Sequence, residues 1–420
     1  MDELILGFDL CNDYSQVSVY RPGEKEPVTI IFGEGEFANQ VSTTVCKKRG
    51  EDKWLIGEDG FRAALFGEGT TVNKLIRLVM KNGTATVEGV RYTAEDLLYF
   101  FLRTTLEHTK YVTGKTKIGM LVFTLQNMDI KFMDTLIICT DRLGIEREKV
   151  HIISHTESFL YSVLNQSRDL WANTVGLFNL TEEGLHYYEM NLARGGVRMV
   201  QARHEFLEEG FSVDILDTPA GCKLADSILL PCAERLMQKK VFSAVYLTGK
   251  GFANCQSWVT SFLKYICNKR RVFVGETMFA KGAALRAADF LREKTEYPYL
   301  FACEGCLSSS VTMDVMDKGI RKKMYLAEAG KNWYESRSSV ELILDGAEPV
   351  ELEVTPAGSR DSKKVLVWLD EFPARDHFTT RVEINAAFTA ENILTLWIRD
   401  LGFGELYPTS GKIVKQEIRI

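Results

Sequence analysis

The chain opens with two short runs of hydrophobic residues that predict a β-hairpin. Residues 4–10 are mostly apolar, and residues 15–20 alternate between polar and apolar side chains. Runs of four to eight such residues bounded by turn-prone residues are typical of strands. Residues 11–13 form the predicted turn, so Asp9 is expected near the tip of a buried hairpin. On spacing alone, such a carboxylate is typical of a turn residue that bonds to the backbone.

Strand and helix patterns alternate as far as residue 292. Apolar runs predict strands at 27–32, 118–123, 150–154, 174–180, 185–190, 197–202 and 271–275, with a strand and a Gly-rich turn at 244–252. Apolar residues at helical spacing predict helices at 59–65, 93–113, 129–143, 155–165, 257–268 and 276–288, and further helices before 240. Thr93 and Asp96 have the spacing of a capping box. This alternation is typical of an α/β domain.

The last 114 residues show only strand patterns. Strands are predicted at 309–315, 322–327, 338–344, 350–356, 363–369, 379–388, 394–400 and 412–420. Many short strands separated by turns at even spacing favour a β-sandwich.

Composition narrows the class of protein. The chain has 420 residues, enough for two to four domains or lobes, and a net charge of −6, which argues against a nucleic-acid-binding surface. No apolar run approaches the roughly 18 residues of a membrane span, and the acidic start, residues 1–3, differs from that of a signal peptide. Nine scattered cysteines favour reduced thiols, and hence a cytoplasmic location.

Two of these cysteines, Cys303 and Cys306, form a single CxxC motif. A structural zinc site needs four ligands, and the nearest later histidine is His377. We interpret the pair as ordinary thiols in a turn, with zinc binding and a dithiol redox pair as alternatives. No set of metal ligands is predicted elsewhere.

Several segments, in order, resemble the DnaK-type heat-shock chaperones of the actin-like superfamily. Residues 7–15 (GFDLCNDYS) resemble the first phosphate loop of that family, and residues 280–288 resemble its closing helix. Residues 380–394, followed by Asp400 and the glycines 402 and 404, resemble its peptide-binding sandwich. The resemblance implies an actin-like, ribonuclease-H-like, two-lobed α/β ATPase fold at 1–292, a linker at 293–306, and an all-β sandwich without a helical lid at 307–420.

The resemblance fails at the residues that would bind and hydrolyse ATP. Ile76 stands where the family has its catalytic lysine, with Lys74 two residues away, so the register there stays open. His155 stands where a glutamate positions the attacking water, and Asn179 where an aspartate holds hydrated magnesium. Residues 181–183 (TEE) replace the glycines of the second phosphate loop, and their carboxylates would repel phosphate.

The interval between 184 and 241 is also too short for the helical subdomain that forms one wall of the family's adenine pocket. We therefore expect no cofactor, and ATP with magnesium is the alternative. If ATP binds, the resemblance implies contacts from Asp9, Cys11, Asn12, Asp13, Gly249, Lys250 and Gly251.

Three functions are compatible with these observations. The first is a non-catalytic pseudo-chaperone that binds a protein or peptide at its sandwich, by adding a strand to a sheet edge. The second is an ATP-dependent chaperone with a remodelled site that uses Lys74, Glu157 and Asp9. The third is a small-molecule kinase on the same fold, which the sandwich disfavours.

Overall fold

The computed structural model describes residues 3–193, 197–346 and 349–420. The chain divides into two compact units, Met1–Leu192 with Ala202–Pro298, and Ala193–Gln201 with Tyr299–Ile420. The segment 293–306, predicted as a linker, is therefore split between the two units. Residues 193–201, predicted inside the first domain, belong to the second unit, because Met199–Gln201 pairs in parallel with Leu300–Ala302.

Within residues 3–173, the first half of the first unit contains eleven strands and five α-helices. They are β1 (Glu3–Leu10), β2 (Tyr14–Tyr20), β3 (Val28–Thr29), β4 (Val41–Ser42), β5 (Val45–Lys48), β6 (Trp54–Leu55), α1 (Gly57–Leu65), β7 (Gly69–Val72), α2 (Leu75–Met80), β8 (Thr84–Val87), β9 (Val90–Thr93), α3 (Ala94–Thr113), β10 (Lys117–Leu125), α4 (Ile130–Arg142), β11 (Val150–Ser154) and α5 (His155–Leu164). The predicted capping box is confirmed: Thr93 Oγ1 accepts from the Asp96 N–H, and the Asp96 carboxylate accepts from the Thr93 N–H.

The second half of this unit has a similar order of strands and helices, with fewer additional elements. Its elements are β12 (Thr174–Thr181), β13 (Gly184–Leu192), β14 (Met199–Leu207, whose first three residues belong to the second unit), α6 (Pro219–Met237), β15 (Phe242–Thr248), α7 (Ser261–Ile266), β16 (Arg271–Val274) and α8 (Met278–Phe290). The helix predicted at 257–268 is shorter, because residues 255–257 form a separate 3-10 turn. The strand predicted at 27–32 is reduced to Val28–Thr29, and the hairpin of β8 and β9 was not predicted.

The two halves have central sheets with the same strand order. Five of the six strands of the first sheet run β11-β10-β1-β2-β3, and five of the six strands of the second run β16-β15-β12-β13-β14. In each, the first strand of the half pairs antiparallel with the next strand and parallel with a later one. Asp9 lies between Gln16 and Thr124 in the first sheet. Asn179 has the matching position, between His186 and Thr248, in the second.

Helices α5 and α8 pack closely where the two halves meet. A Cβ atom on Gly282 of α8 would lie 1.9 Å from the backbone oxygen of Ser158 in α5, and one on Gly7 of β1 would lie 2.1 Å from the Ala284 nitrogen. Only glycine allows backbones to approach this closely. Small residues of α8, including Ala283 and Ala287, therefore fill the core beneath the first sheet.

The second unit is rich in β-structure. Its elements after residue 299 are β17 (Leu300–Ala302), β18 (Ser309–Asp317), β19 (Ile320–Ala327), β20 (Arg337–Leu344), β21 (Val350–Pro356), β22 (Lys363–Val367), β23 (Thr380–Ala390), β24 (Ile393–Asp400) and β25 (Ile413–Arg419). They include two four-stranded sheets, ordered β19-β18-β21-β22 and β20-β23-β24-β25. Each of the eight strands predicted after residue 308 is present, one with the predicted ends (350–356) and seven with shifted ends.

Asp400, at the end of β24, explains why the Asp-x-Gly-x-Gly segment has its sequence. Its carboxylate is fully buried and accepts two hydrogen bonds from Arg375, each of 2.7 Å. It also accepts from the backbone N–H groups of Gly402 and Ser410. Gly402 has a φ of 67° and lies tightly against the backbone of Thr409, a position where a Cβ would clash. Burial raises the pKa of this carboxyl, but these hydrogen bonds outweigh it and hold the pKa well below its usual range.

Candidate functional site

The turns of two equivalent hairpins meet in the first unit. One is the β1–β2 turn, and the other is the β12–β13 turn. Asn12 Nδ2 donates to Glu183 Oε1 at 2.8 Å and so joins the two turns directly. The family resemblance aligned the first turn with a phosphate loop and the second with a position where that loop is lost, and the fold brings the two turns together.

The carboxylates of the second turn have partners within the protein. Glu183 accepts a hydrogen bond of 3.0 Å from Arg77, and Glu182 accepts one of 3.2 Å from Lys250. Lys250, predicted as a phosphate contact, thus pairs with a carboxylate. These pairs are partly exposed to solvent, so each contributes at most about 1 kcal/mol. Their importance is positional, because Glu182 lines the mouth of the cleft and Glu183 lines its floor.

Beneath these turns lies a buried pair that joins two of the predicted positions. His155 Nε2 lies 2.8 Å from Asp9 Oδ1, and both side chains are buried. Because a carboxylate only accepts, Nε2 carries the proton in this bond. The ring stacks on Phe279 at a centroid distance of 4.0 Å and an angle of 7°. His155 therefore fills space beside Asp9 and leaves no carboxylate there to orient a water.

Cys11 completes this cluster. Its Sγ lies 3.4 Å from Asp9 Oδ1 and 3.9 Å from His155 Nε2. Burial, and then the charge and hydrogen bond of Asp9, raise the pKa of this thiol well above its usual value. Burial and the nearby Glu182 and Glu183 also raise the pKa of Asp13. Both shifts have an anionic cause, which opposes the binding of further negative charge.

The structure places Lys74 and Ile76 in different surroundings. Ile76 lies in α2 with only 7% of its surface exposed. Lys74 precedes that helix with a φ of 54° and lines the cleft beside Asp13 and Lys250. Lys74 is therefore the residue of this segment that faces the cleft.

The predicted glycine-rich turn after β15 is packed against the second hairpin. Gly249 has a φ of 88°, and a Cβ there would lie 2.3 Å from the backbone oxygen of Leu180 and 2.6 Å from Asn179 Oδ1. A Cβ on Gly251 would meet the Leu180 side chain at 2.4 Å. Close backbone packing thus explains both glycines without a ligand.

The cleft has a wide mouth and an almost filled floor. The mouth has a volume of about 440 Å³ and is lined by Asn12, Asp13, Lys74, Glu182 and Lys250, among other residues. The floor, around Asp9, Cys11, His155 and Asn179, has a volume of only about 20 Å³. Side chains therefore occupy the deepest part of the cleft.

Sequence reasoning missed a pair of histidines near this floor, of which His186 is buried and His204 is half-buried. His186 Nδ1 lies 2.9 Å from His204 Nε2, and Tyr188 stacks on the His204 ring. Burial, with His204 and His155 nearby, lowers the pKa of His186 to about 3. Burial and His155 lower the pKa of His204 to about 4. The sequence signal for this pair was a histidine inside the apolar strand pattern at 185–190. The partners of that histidine depend on the fold.

The second unit has a larger groove between its two sheets. Its volume is about 990 Å³, and it is lined by parts of β18, β20 and β21 and by Phe378. Three of its apolar side chains, Met316, Ile343 and Phe378, are each at least half exposed. Within the described residues, β20 pairs only with β23, so its other edge carries unpaired backbone groups.

These features define a protein with an α/β unit that contains a largely filled cleft and a β-rich unit that contains an open groove. Residues 26–304, more than half of the chain, match the family described as "Family of unknown function (DUF5716) C-terminal", and the chain belongs to that family. Residues 306–420 match a second description, "Domain of unknown function (DUF8552)". A search of curated proteins found no match. No helix within 3–193, 197–346 and 349–420 is long and apolar enough to cross a membrane.

Proposed function

We propose that this chain is a DnaK-like protein with an actin-like first unit, which binds an extended polypeptide without hydrolysing ATP. The repeated strand order of the two central sheets supports the actin-like assignment, because that fold is a duplication of one α/β plan. The peptide would lie in the groove of the second unit, which acts as a β-sandwich. The open groove beside the β20 edge is the observation that carries this proposal.

The chemistry of the groove indicates what it would bind. An edge strand offers backbone donors and acceptors to an added strand, and side chains of that strand alternate in direction. Met316, Ile343 and Phe378 offer apolar contacts, while Arg381 and Glu341 lie at the rim. An extended segment with apolar residues at alternate positions fits both features.

The filled cleft supports the non-hydrolytic part of the proposal. ATP brings about four negative charges, and each pair of like charges about 5 Å apart repels by roughly 1 kcal/mol in water and more in a cleft. In the proposed resemblance, Glu182 and Glu183 replace the glycines that would contact the phosphates, and they bond instead to Lys250 and Asn12. His155 replaces the glutamate that would orient the attacking water, and it bonds to Asp9.

The test uses fluorescently labelled peptides with leucine or valine at alternate positions, and anisotropy as the readout. Ile343→Lys should weaken binding about tenfold or more, since it removes apolar contact worth roughly 1.5–3 kcal/mol. Ile413→Lys is the matched control, because Ile413 is similarly exposed on β25, the opposite edge of the same sheet. Equal loss in both variants, or no binding by the native protein, would refute the proposal.

A remodelled ATP site is the second candidate, since Lys74 and Lys250 both line the cleft mouth. Isothermal titration with ATP and magnesium separates the two functions. We expect no binding by the native protein at millimolar ATP. The variant Glu182→Gln with Glu183→Gln tests whether repulsion alone prevents binding. Magnesium-dependent ATP turnover by the native protein would favour the second candidate.

A further inference from the structure

We propose that Asp9, Cys11 and His155 form a binding site for a thiophilic divalent metal ion of the Zn²⁺ class. One oxygen, one sulfur and one nitrogen from these residues all lie within 4.8 Å of one another. This ligand set suits Zn²⁺ better than Mg²⁺, which prefers oxygen ligands. The inference is independent of peptide binding by the second unit.

The distances between the three ligand atoms fit a tetrahedral ion. Zn–S bonds near 2.3 Å and Zn–N or Zn–O bonds near 2.0 Å place ligand atoms about 3.3–3.6 Å apart at tetrahedral angles. The observed distances are 3.4 Å for Cys11 to Asp9, 3.9 Å for Cys11 to His155, and 2.8 Å for His155 to Asp9. Movements of about 0.5 Å or less would bring all three atoms to a common ion.

The fold holds each ligand in place. Asp9 lies in β1, Cys11 directly follows that strand, and His155 is the first residue of α5. The stacked ring of Phe279 fixes the plane of the His155 imidazole. Metal binding displaces the proton from Nε2, and the neutral ring then carries its proton on Nδ1, which lies 3.5 Å from the hydroxyl of Tyr188, an acceptor on the far side of the ring. Histidine ligands of metals usually donate their second N–H in this way.

An independent observation indicates a ligand beside the three side chains. Gln16 lines the same floor cavity and is 1% exposed, yet its Nε2 has no hydrogen-bond partner within the described part of the chain. A buried donor of this kind costs free energy unless it is satisfied. The cavity of about 20 Å³ has room for one water. A water as fourth metal ligand would accept from this amide.

The test is titration of the metal-free, full-length protein with Co²⁺, a spectroscopic substitute for Zn²⁺. We expect one equivalent to bind, with a thiolate charge-transfer band and visible bands of tetrahedral intensity, and Zn²⁺ should remove both. Cys11→Ser should abolish the charge-transfer band, and His155→Gln should weaken binding at least tenfold. Circular dichroism checks that each variant is folded.

Two controls address the other thiols. Cys267 is exposed, so Cys267→Ser should leave the spectrum unchanged. The variant Cys303→Ser with Cys306→Ser should also leave it unchanged, although these two sulfurs lie 3.6 Å apart and could attract the ion. Loss of the band in that double variant, with retention in Cys11→Ser, would overturn the proposal.

X-ray absorption of the native zinc-loaded protein gives an answer even if a variant fails to fold. The site at Cys11 predicts one sulfur near 2.3 Å and two or three nitrogen or oxygen neighbours near 2.0 Å. Two sulfurs would assign the ion to the CxxC motif. No stoichiometric binding of either metal at micromolar concentration would also refute the site.

Discussion

Two buried aspartates, one in each unit, illustrate different uses of a buried carboxylate. Asp400 accepts two hydrogen bonds from Arg375 and two more from backbone N–H groups, so its charge is matched by fixed donors. Asp9 instead bonds to His155 and to the thiol of Cys11. Asp400 is a structural anchor. The partners of Asp9 are of residue types that bind metals, so burial there groups three potential metal ligands.

The largest expected effect comes from removing the charge at each aspartate in turn. Asp400→Asn should destabilise the second unit by about 3–5 kcal/mol, because it leaves the buried Arg375 without its counter-charge. Asp9→Asn should cost less than about 2 kcal/mol in the first unit, since asparagine keeps an acceptor for His155. Hydrogen exchange measured by mass spectrometry in denaturant locates each loss in its unit.

The control for both variants is Asp370→Asn, because Asp370 is exposed. It should change the free energy of unfolding by less than about 0.5 kcal/mol. If Asp9→Asn destabilised its unit as much as Asp400→Asn, Asp9 would also be a structural anchor, and the contrast between the two sites would disappear.

A smaller loss of stability is expected from a substitution that displaces α8, the helix that carries Phe279. Gly282→Ala places a methyl group 1.9 Å from the Ser158 backbone, so α8 must move away from α5. We expect a loss of roughly 1–3 kcal/mol in the first unit and none in the second. Gly275→Ala is the control, because a Cβ there meets nothing within 4 Å. Equal stability of the two variants in urea would show that α5 and α8 are loosely packed.

The smallest expected effect is the loss of folding stability as the pH falls. The folded-state pKa values of His186 and His204, about 3 and about 4, lie below the unfolded value near 6.5. The unfolded chain binds protons on these histidines more readily than the folded chain does. Their contribution to stability is therefore fully present above about pH 6.5 and is lost as the pH falls towards the folded-state pKa values. Asp400, whose pKa is also depressed, loses its contribution only below about pH 4. The first unit should therefore weaken first.

His186→Gln should reduce the stability difference of the first unit between pH 7.5 and pH 5.5 by about 1 kcal/mol, since one proton no longer binds on unfolding. Urea unfolding at both pH values, followed by hydrogen exchange with correction for intrinsic rates, measures this. A second unit that weakened equally between these pH values would contradict the assignment of the acid response to the histidines.

The sequence predicted most of the elements, because their signals are local. The hairpin at 4–20, the capping box at Thr93 and the eight strands after 308 each depend on residues that are close along the chain. The alternation of helices and strands followed by strands alone also predicted an α/β region before a β-rich one. The predicted ends were wrong at 257–268, where a 3-10 turn takes up the start of the predicted helix, and at 27–32, where only two residues pair as a strand.

Only the tertiary structure decided how the site is composed. The sequence singled out Asp9 by its predicted turn and His155 by the family resemblance, but their contact joins residues 146 positions apart. It could not choose Lys74 over Ile76, because that choice depends on which side chain the start of α2 buries. Pairing of 199–201 with 300–302 likewise moved a unit boundary. Local sequence therefore determines the elements, whereas long-range packing determines which side chains share a cavity and what chemistry they form.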